Sequence, residues 1–225
     1  MNTNWLQLSA ERRIEILNQA SNITGLPAIA IEKDWWVTLA LKASFSLEYS
    51  PNIVFKGGTS LSKGWNLIER FSEDIDFAID RKFFGFEGEI SKTQIKNLRK
   101  KSCEFISTTF LADLVNQFTV WQAIDVCKIY AHPVNDSDKD PQVIEIDYNS
   151  AFDKSDYLPQ RVLIEVSSRS LMEPCENREI NSILSSVFPD QNFASKPFKC
   201  FDSFTPTDFF RENIFITRRV FTGNR

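Results

Sequence analysis

The chain carries one histidine, His132, and only seven glycines in 225 residues. With one histidine, any Ser/His/Asp or Cys/His mechanism would have to use that side chain. It stands before Pro133 at the end of an apolar run, the setting of a surface turn. The four cysteines, Cys103, Cys127, Cys175 and Cys200, are widely spaced, with no CxxC or Cys/His cluster. That pattern does not suggest zinc and leaves free thiols as the expected state. No apolar run is long enough to span a bilayer, and the opening MNTNWLQLSAERR has no hydrophobic signal region. The expectation is a cytoplasmic protein with no membrane partner. GxxxxGK[ST] and GxGxxG are both absent, so neither a Walker loop nor a dinucleotide fold has support. Positive charge is not in excess either. A net charge of −4 and a pI near 5.2 do not suit a general nucleic-acid coat. A local basic patch would still suffice for an RNA substrate.

What is present suits one globular domain. Hydrophobic residues make up 42% and charged residues 25%, and 20 phenylalanines predict an aromatic core. The expected organisation is a single domain over 1–225, with N-terminal helices over 1–50, a core over about 51–210 and a tail over 211–225. Ser9 caps a predicted helix over 10–21, and a second is predicted over 28–47. In the second, Ile31, Trp35, Leu39 and Phe45 form the apolar side, and Glu32, Lys33 and Asp34 are expected on the opposite side. Ile53–Phe55 reads as a short strand and Ile75–Ile79 as an alternating one. Residues 81–88 read as an aromatic loop. A long helix follows over 91–118, with Lys92, Lys96, Arg99, Lys100 and Lys101 on its outer face, either solvated or in contact with RNA. Strand character returns over 125–131, 142–148 and 161–168. A helix is predicted over 176–186, then a loop rich in Phe and Pro to about 207. The order implies an α+β fold, a mixed β-sheet flanked by helices.

The chemistry gathers in IVFKGGTSLSKGWNLIERFSEDIDFAID, Ile53 to Asp80. Asp74 and Asp76 are two apart on a strand, so their carboxylates point to one face. Such a pair repels, and a divalent cation relieves the repulsion. Mg²⁺ favours carboxylate oxygens and keeps positions for water and phosphate. Gly57 and Gly58 let the backbone approach a phosphate closely. Thr59, expected to cap a short helix, and Ser60 would add N–H and hydroxyl donors. Alone, each feature has a plain reading: an acidic strand edge, or a tight strand-to-helix turn. Together they match the GG/GS turn and DxD strand of the polymerase-beta-type nucleotidyltransferases.

KGGTSLSK, RFSEDIDF, the upstream EKDWW and the downstream RVLIEVSSRSLMEP resemble the AbiEii/AbiGii nucleotidyltransferase toxins of abortive-infection systems, from about Glu32 to Ile216. The resemblance implies a nucleotidyltransferase-like α+β fold and transfer of a nucleotide from an NTP to an acceptor, with tRNA or another RNA as the candidate. It implies Mg²⁺ (or Mn²⁺) as cofactor and a DNA-binding antitoxin encoded nearby as partner. Its motifs imply nucleotide-binding positions Lys56, Gly57, Gly58, Thr59, Ser60, Lys63, Ser72 and Arg169, and metal-binding, catalytic positions Asp74 and Asp76. A third carboxylate completes such sites. Glu165 fits the family strand and sits inside the apolar run Val162–Val166, while Glu145 and Asp147 share another strand face and stay open as alternatives.

The family has a further Lys-bearing helix where this chain reads FFRENIFITRRVFTGNR, with Asn213 near the lysine position. Codons can be chosen for 211–225 so that a one-base shift restores the family segment. A frameshift at about Phe210, and a truncated C-terminal helical region, are therefore expectations. Exposed apolar surface left by that loss would favour a homodimer. The competing functional reading is a catalytically weak or inactive member that retains nucleotide or partner binding. A metal-dependent phosphoesterase would use the carboxylates but leave the GG turn unexplained.

Overall fold

Ser9 accepts a hydrogen bond from the Arg12 N–H at 3.3 Å and starts α1 (Ala10–Thr24). Gly25 ends that helix in the left-handed region, at φ 74°. The structure, a computed structural model, describes residues 3–203 apart from 69–71, 73, 135, 137, 154–157 and 169–174. Arg169 and the tail over 211–225, including Asn213, lie outside the described residues.

Helix α2 (Ala28–Phe45) is the centre of the fold, and every residue from Ala30 to Leu41 is buried. A helix apolar on one side only would lie at a surface; this one is enclosed all round. The expectation of a solvated Glu32–Lys33–Asp34 face is therefore overturned. Each charge has a partner, as a dry interior requires. Glu32 accepts hydrogen bonds from the Ser150 hydroxyl and, at 2.8 Å, from the Ala151 N–H. Lys33 Nζ donates to the Pro159 carbonyl at 2.9 Å. Asp34 pairs with Lys63 and accepts from the Ile183 N–H at 2.8 Å. Burial still raises the Glu32 pKa, partly offset by Ser150, Ala151 and Arg13.

The described strands form one mixed seven-stranded sheet in the order β3-β4-β5-β2-β1-β7-β6. These are β1 (Ile53–Lys56), β2 (Ile75–Ile79), β3 (Cys127–Ala131), β4 (Gln142–Tyr148), β5 (Arg161–Ser167), β6 (Cys175–Ile180) and β7 (Phe198–Ser203). Pairs β2/β5 and β1/β7 are parallel and the others antiparallel. The α+β expectation holds. Two expectations fail near the end. Residues 176–180 form the edge strand β6, not a helix, and only α6 (Ile183–Val187) is helical there. The segment expected as a Phe/Pro loop contains β7.

One sheet face is apolar: Ile53, Phe55, Ile75, Phe77, Ile144, Ile146, Val162, Ile164 and Val166 are all buried. Phe45 of α2 meets Phe77 edge-on at 5.6 Å, and Trp36 stacks on Tyr148 at 4.9 Å. The long helix appears as α4 (Lys92–Phe105) and α5 (Leu111–Val120), joined by a π-helical turn over Ile106–Phe110 and started by a Ser91/Gln94 capping box. Residues 81–84 form a 3₁₀ turn instead of a loop, because Phe83 and Phe84 pack on Phe105 at 5.0 and 5.7 Å. All four cysteines are free. No helix among the described residues is long and apolar enough to cross a membrane.

Candidate active site

Side chains alternate along a strand, so the residues left over from the apolar face share the opposite one. Three rows cross it. Lys56, Asp76, Glu165 and Val143 are partners on β1, β2, β5 and β4. Next come Leu163, Glu145 and Tyr130, then Arg161, Asp147 and Lys128. Asp74 is exposed, one residue before β2.

The glycine turn is coupled to this face through Asp76. Gly57 follows β1 directly and adopts φ 78°. A Cβ there would fall 2.0 Å from Asp76 Oδ2. The carboxylate therefore occupies the space that any other residue at 57 would fill. Helix α3 (Gly57–Lys63) starts at this glycine with Lys56 as its N-cap, one turn earlier than a Thr59 cap would place it.

The hydroxyls and the second lysine point elsewhere than expected. Thr59 and Ser60 are fully buried. The Thr59 hydroxyl donates to the Asp74 carbonyl and lies 2.9 Å from Ser72 Oγ, which ties α3 to the approach of the DxD strand. The Ser60 hydroxyl donates to Asp202 Oδ1. The Lys63 ammonium is paired with Asp34, with 10% of its side chain exposed. These hydrogen bonds and this ion pair hold the turn in place. Lys56, Gly57 and Gly58 remain half-buried at the turn itself.

Glu165 was expected inside an apolar run. It is half-buried on the open face, opposite the fully buried Val162, Ile164 and Val166, and beside Asp76. The alternatives, Glu145 and Asp147, lie farther along the same face. Glu145 lies 2.5 Å from His132 Nε2 and 3.4 Å from Arg161 Nη1, and Asp147 pairs in register with Lys128 and Arg161. Burial raises the Glu145 pKa, but hydrogen bonds from His132 and Tyr130 and the Arg161 charge outweigh it, leaving the carboxyl below its ordinary value. His132 is thus half-buried on a carboxylate, not a free surface-turn residue.

Sequence reasoning missed Asp202. It is fully buried on β7, beside Phe55 of β1. A Cβ on Gly64 would fall 2.1 Å from its Oδ2. Arg178 lies over the Trp65 ring at 3.6 Å. Burial pushes the Asp202 pKa up to about 6, against the Ser60 and Trp65 hydrogen bonds and the Arg178 charge. The one sequence signal was a glycine at 64, and a glycine does not name the group it accommodates.

Among the described residues no three Asp, Glu, His or Cys side chains close into a metal cage. Asp74, Asp76 and Glu165 would offer a metal ion carboxylate oxygens alone. That chemistry suits Mg²⁺, which keeps waters and substrate phosphates in its shell.

The family model described as nucleotidyl transferase AbiEii toxin, type IV TA system, matches residues 40–198. The chain belongs to this family. No curated protein matches it. Among solved structures it is similar to MenT4, a nucleotidyltransferase toxin from Mycobacterium tuberculosis H37Rv, at 15% identity and TM-score 0.40, over 84% of this chain and 54% of that one. The chain thus spans about half the length of that toxin. The AbiEii match takes in the GG turn, Asp74, Asp76 and Glu165, and ends as β7 begins.

Proposed function

We propose that this AbiEii chain transfers a nucleotide from a nucleoside triphosphate to the 3′ hydroxyl of an RNA acceptor, with Asp74, Asp76 and Glu165 as its metal-binding carboxylates. The whole chain acts as one nucleotidyltransferase domain in this reading. The observation that carries it is the contact between Gly57 and Asp76, within a register that sets Glu165 next to Asp76. It supports reading the glycine turn and the Asp76 and Glu165 carboxylates as parts of one site.

Asp74, Asp76 and Glu165 would hold Mg²⁺ or Mn²⁺, whose chemistry there is to neutralise phosphate charge and activate the attacking oxygen. Gly57 and Gly58 bring the backbone close to the triphosphate, and Lys56, beside Asp76 in register, adds positive charge. Thr59, Ser60, Lys63 and Ser72 act as positioning residues for that turn. Arg169 is assigned to the triphosphate by its place in the family motif alone. The acceptor oxygen attacks the α-phosphorus, and pyrophosphate leaves in line with it. A DNA-binding antitoxin is the partner this family implies. Hydrolysis without an acceptor is the second reading, and the glycine turn over Asp76 favours transfer.

The test is incubation with each of the four α-labelled triphosphates, Mg²⁺ and total RNA including tRNA. Label is expected to enter RNA from at least one triphosphate. It is expected to be lost in Asp76→Asn and reduced in Glu165→Gln. Absence of transfer from all four, or release of free labelled monophosphate alone, would refute the proposal.

A further inference from the structure

In-line transfer constrains more than the carboxylates. The attacking oxygen must approach from the side opposite the leaving pyrophosphate. The glycine turn that would hold the pyrophosphate lies at the end of β1, on one side of Asp76. The opposite side is β5, then β4, then the edge strand β3. A groove of about 960 Å³ opens at that end of the sheet, between Lys128, Glu145, Asp147 and Arg161. All four side chains share the sheet face of Asp76 and Glu165.

The lining indicates what the groove takes. Three carboxylates, on Asp125, Glu145 and Asp147, stand against the cations of Lys128 and Arg161. Such mixed charge disfavours a bare phosphate chain and suits a neutral group rich in donors and acceptors. Beside it, Tyr130 and His132 stack at 6.1 Å with their planes 18° apart. Tyr130 is 39% exposed, although aromatic rings are ordinarily drawn inward. An exposed flat ring with a nearby lysine makes a platform on which a base stacks whatever its sequence.

We infer that the groove over β3, β4 and β5 is the acceptor site: it receives the last nucleosides of a single-stranded RNA 3′ end, with a base on Tyr130 and ribose or base polar groups on Glu145, Asp147 and Arg161. The inference rests on the transfer reading above. Three strand spacings separate β2 from β3, about 14 Å. A base on Tyr130 is therefore a few nucleotides back from the hydroxyl at the carboxylates.

The test uses Tyr130→Ala and Lys128→Ala, both at exposed edge-strand positions, checked for folding by their thermal transitions. Binding of a 5′-fluorescein 12-nucleotide RNA of mixed sequence with a free 3′ hydroxyl is followed by anisotropy. Transfer kinetics are measured separately against triphosphate and against RNA. Loss of one stacked base predicts RNA binding weaker by on the order of ten-fold in Tyr130→Ala. The RNA KM should rise by a like factor, with the triphosphate KM unchanged. Unchanged RNA binding in both variants would overturn the inference while leaving transfer intact. So would a rise in the triphosphate KM alone, which would place the incoming nucleoside in the groove, or labelling of protein instead of RNA. If the wild type transfers nothing yet loses RNA binding on Tyr130→Ala, the transfer reading fails and the RNA site stands.

Discussion

Replacing Asp202 by asparagine isolates the energy of one buried charge. The native carboxyl is fully enclosed beside Gly64, with the Ser60 hydroxyl on Oδ1. Burial raises its pKa from 3.8 to about 6. A group whose pKa is raised on folding stabilises the fold below its unfolded value, and that contribution is lost as pH rises through the folded value. For Asp202 the window runs from about 3.8 to about 6. At 1.36 kcal/mol per pH unit, the wild type should lose about 3 kcal/mol across that window. Asparagine has nearly the same shape and does not titrate, so its stability lacks this slope. The assay is urea unfolding of both proteins at pH 4, 5, 6 and 7. Glu32 and Glu145 titrate in both and cancel in the difference. The wild type is expected to be favoured most at pH 4 and to lose about 2 kcal/mol relative to Asp202→Asn by pH 7, because part of the window lies below pH 4. A difference that is flat with pH, or that changes in the wild type's favour as pH rises, would refute the reasoning.

Gly57→Ala should damage the site more than the fold. The left-handed conformation costs a non-glycine residue about 1–2 kcal/mol, and the new Cβ must also displace the Asp76 carboxylate. Nucleotide transfer is expected to fall on the order of a hundred-fold, as for a misplaced reacting group, while circular dichroism stays native. Lys63→Met should do the reverse: it strands Asp34, whose side chain is 6% exposed, and should lower urea stability by about 3–5 kcal/mol. The double variant Asp34→Leu/Lys63→Met is expected to recover part of that loss, because no unpaired charge remains.

The glycine turn and the acidic strand were legible because their signals are local. A strand that stops at two glycines and an alternating strand with acids two apart each fit within a dozen residues, and strands β1, β2, β4 and β5 appear close to where their patterns put them. Strands β6 and β7 were not legible. CENREI has one buried residue, Ile180, so as an edge strand it shows no alternation and its charges read as helical. The direction of Thr59, Ser60 and Lys63 was hidden for a related reason: their partners include Asp74 and Ser72 across a loop, Asp202 more than a hundred residues away and Asp34 on another helix.

The sequence by itself determined the family, the α+β class, the glycine turn and the two aspartates, because short-range periodicity and turn chemistry encode them. Only the tertiary structure decided that Glu165 stands beside Asp76, that Glu145 belongs to His132 and Arg161, and that the charges of α2 are buried. Strand register and long-range ion pairing set those outcomes. Both depend on which segments the sheet brings together, and no single stretch of the chain carries that information.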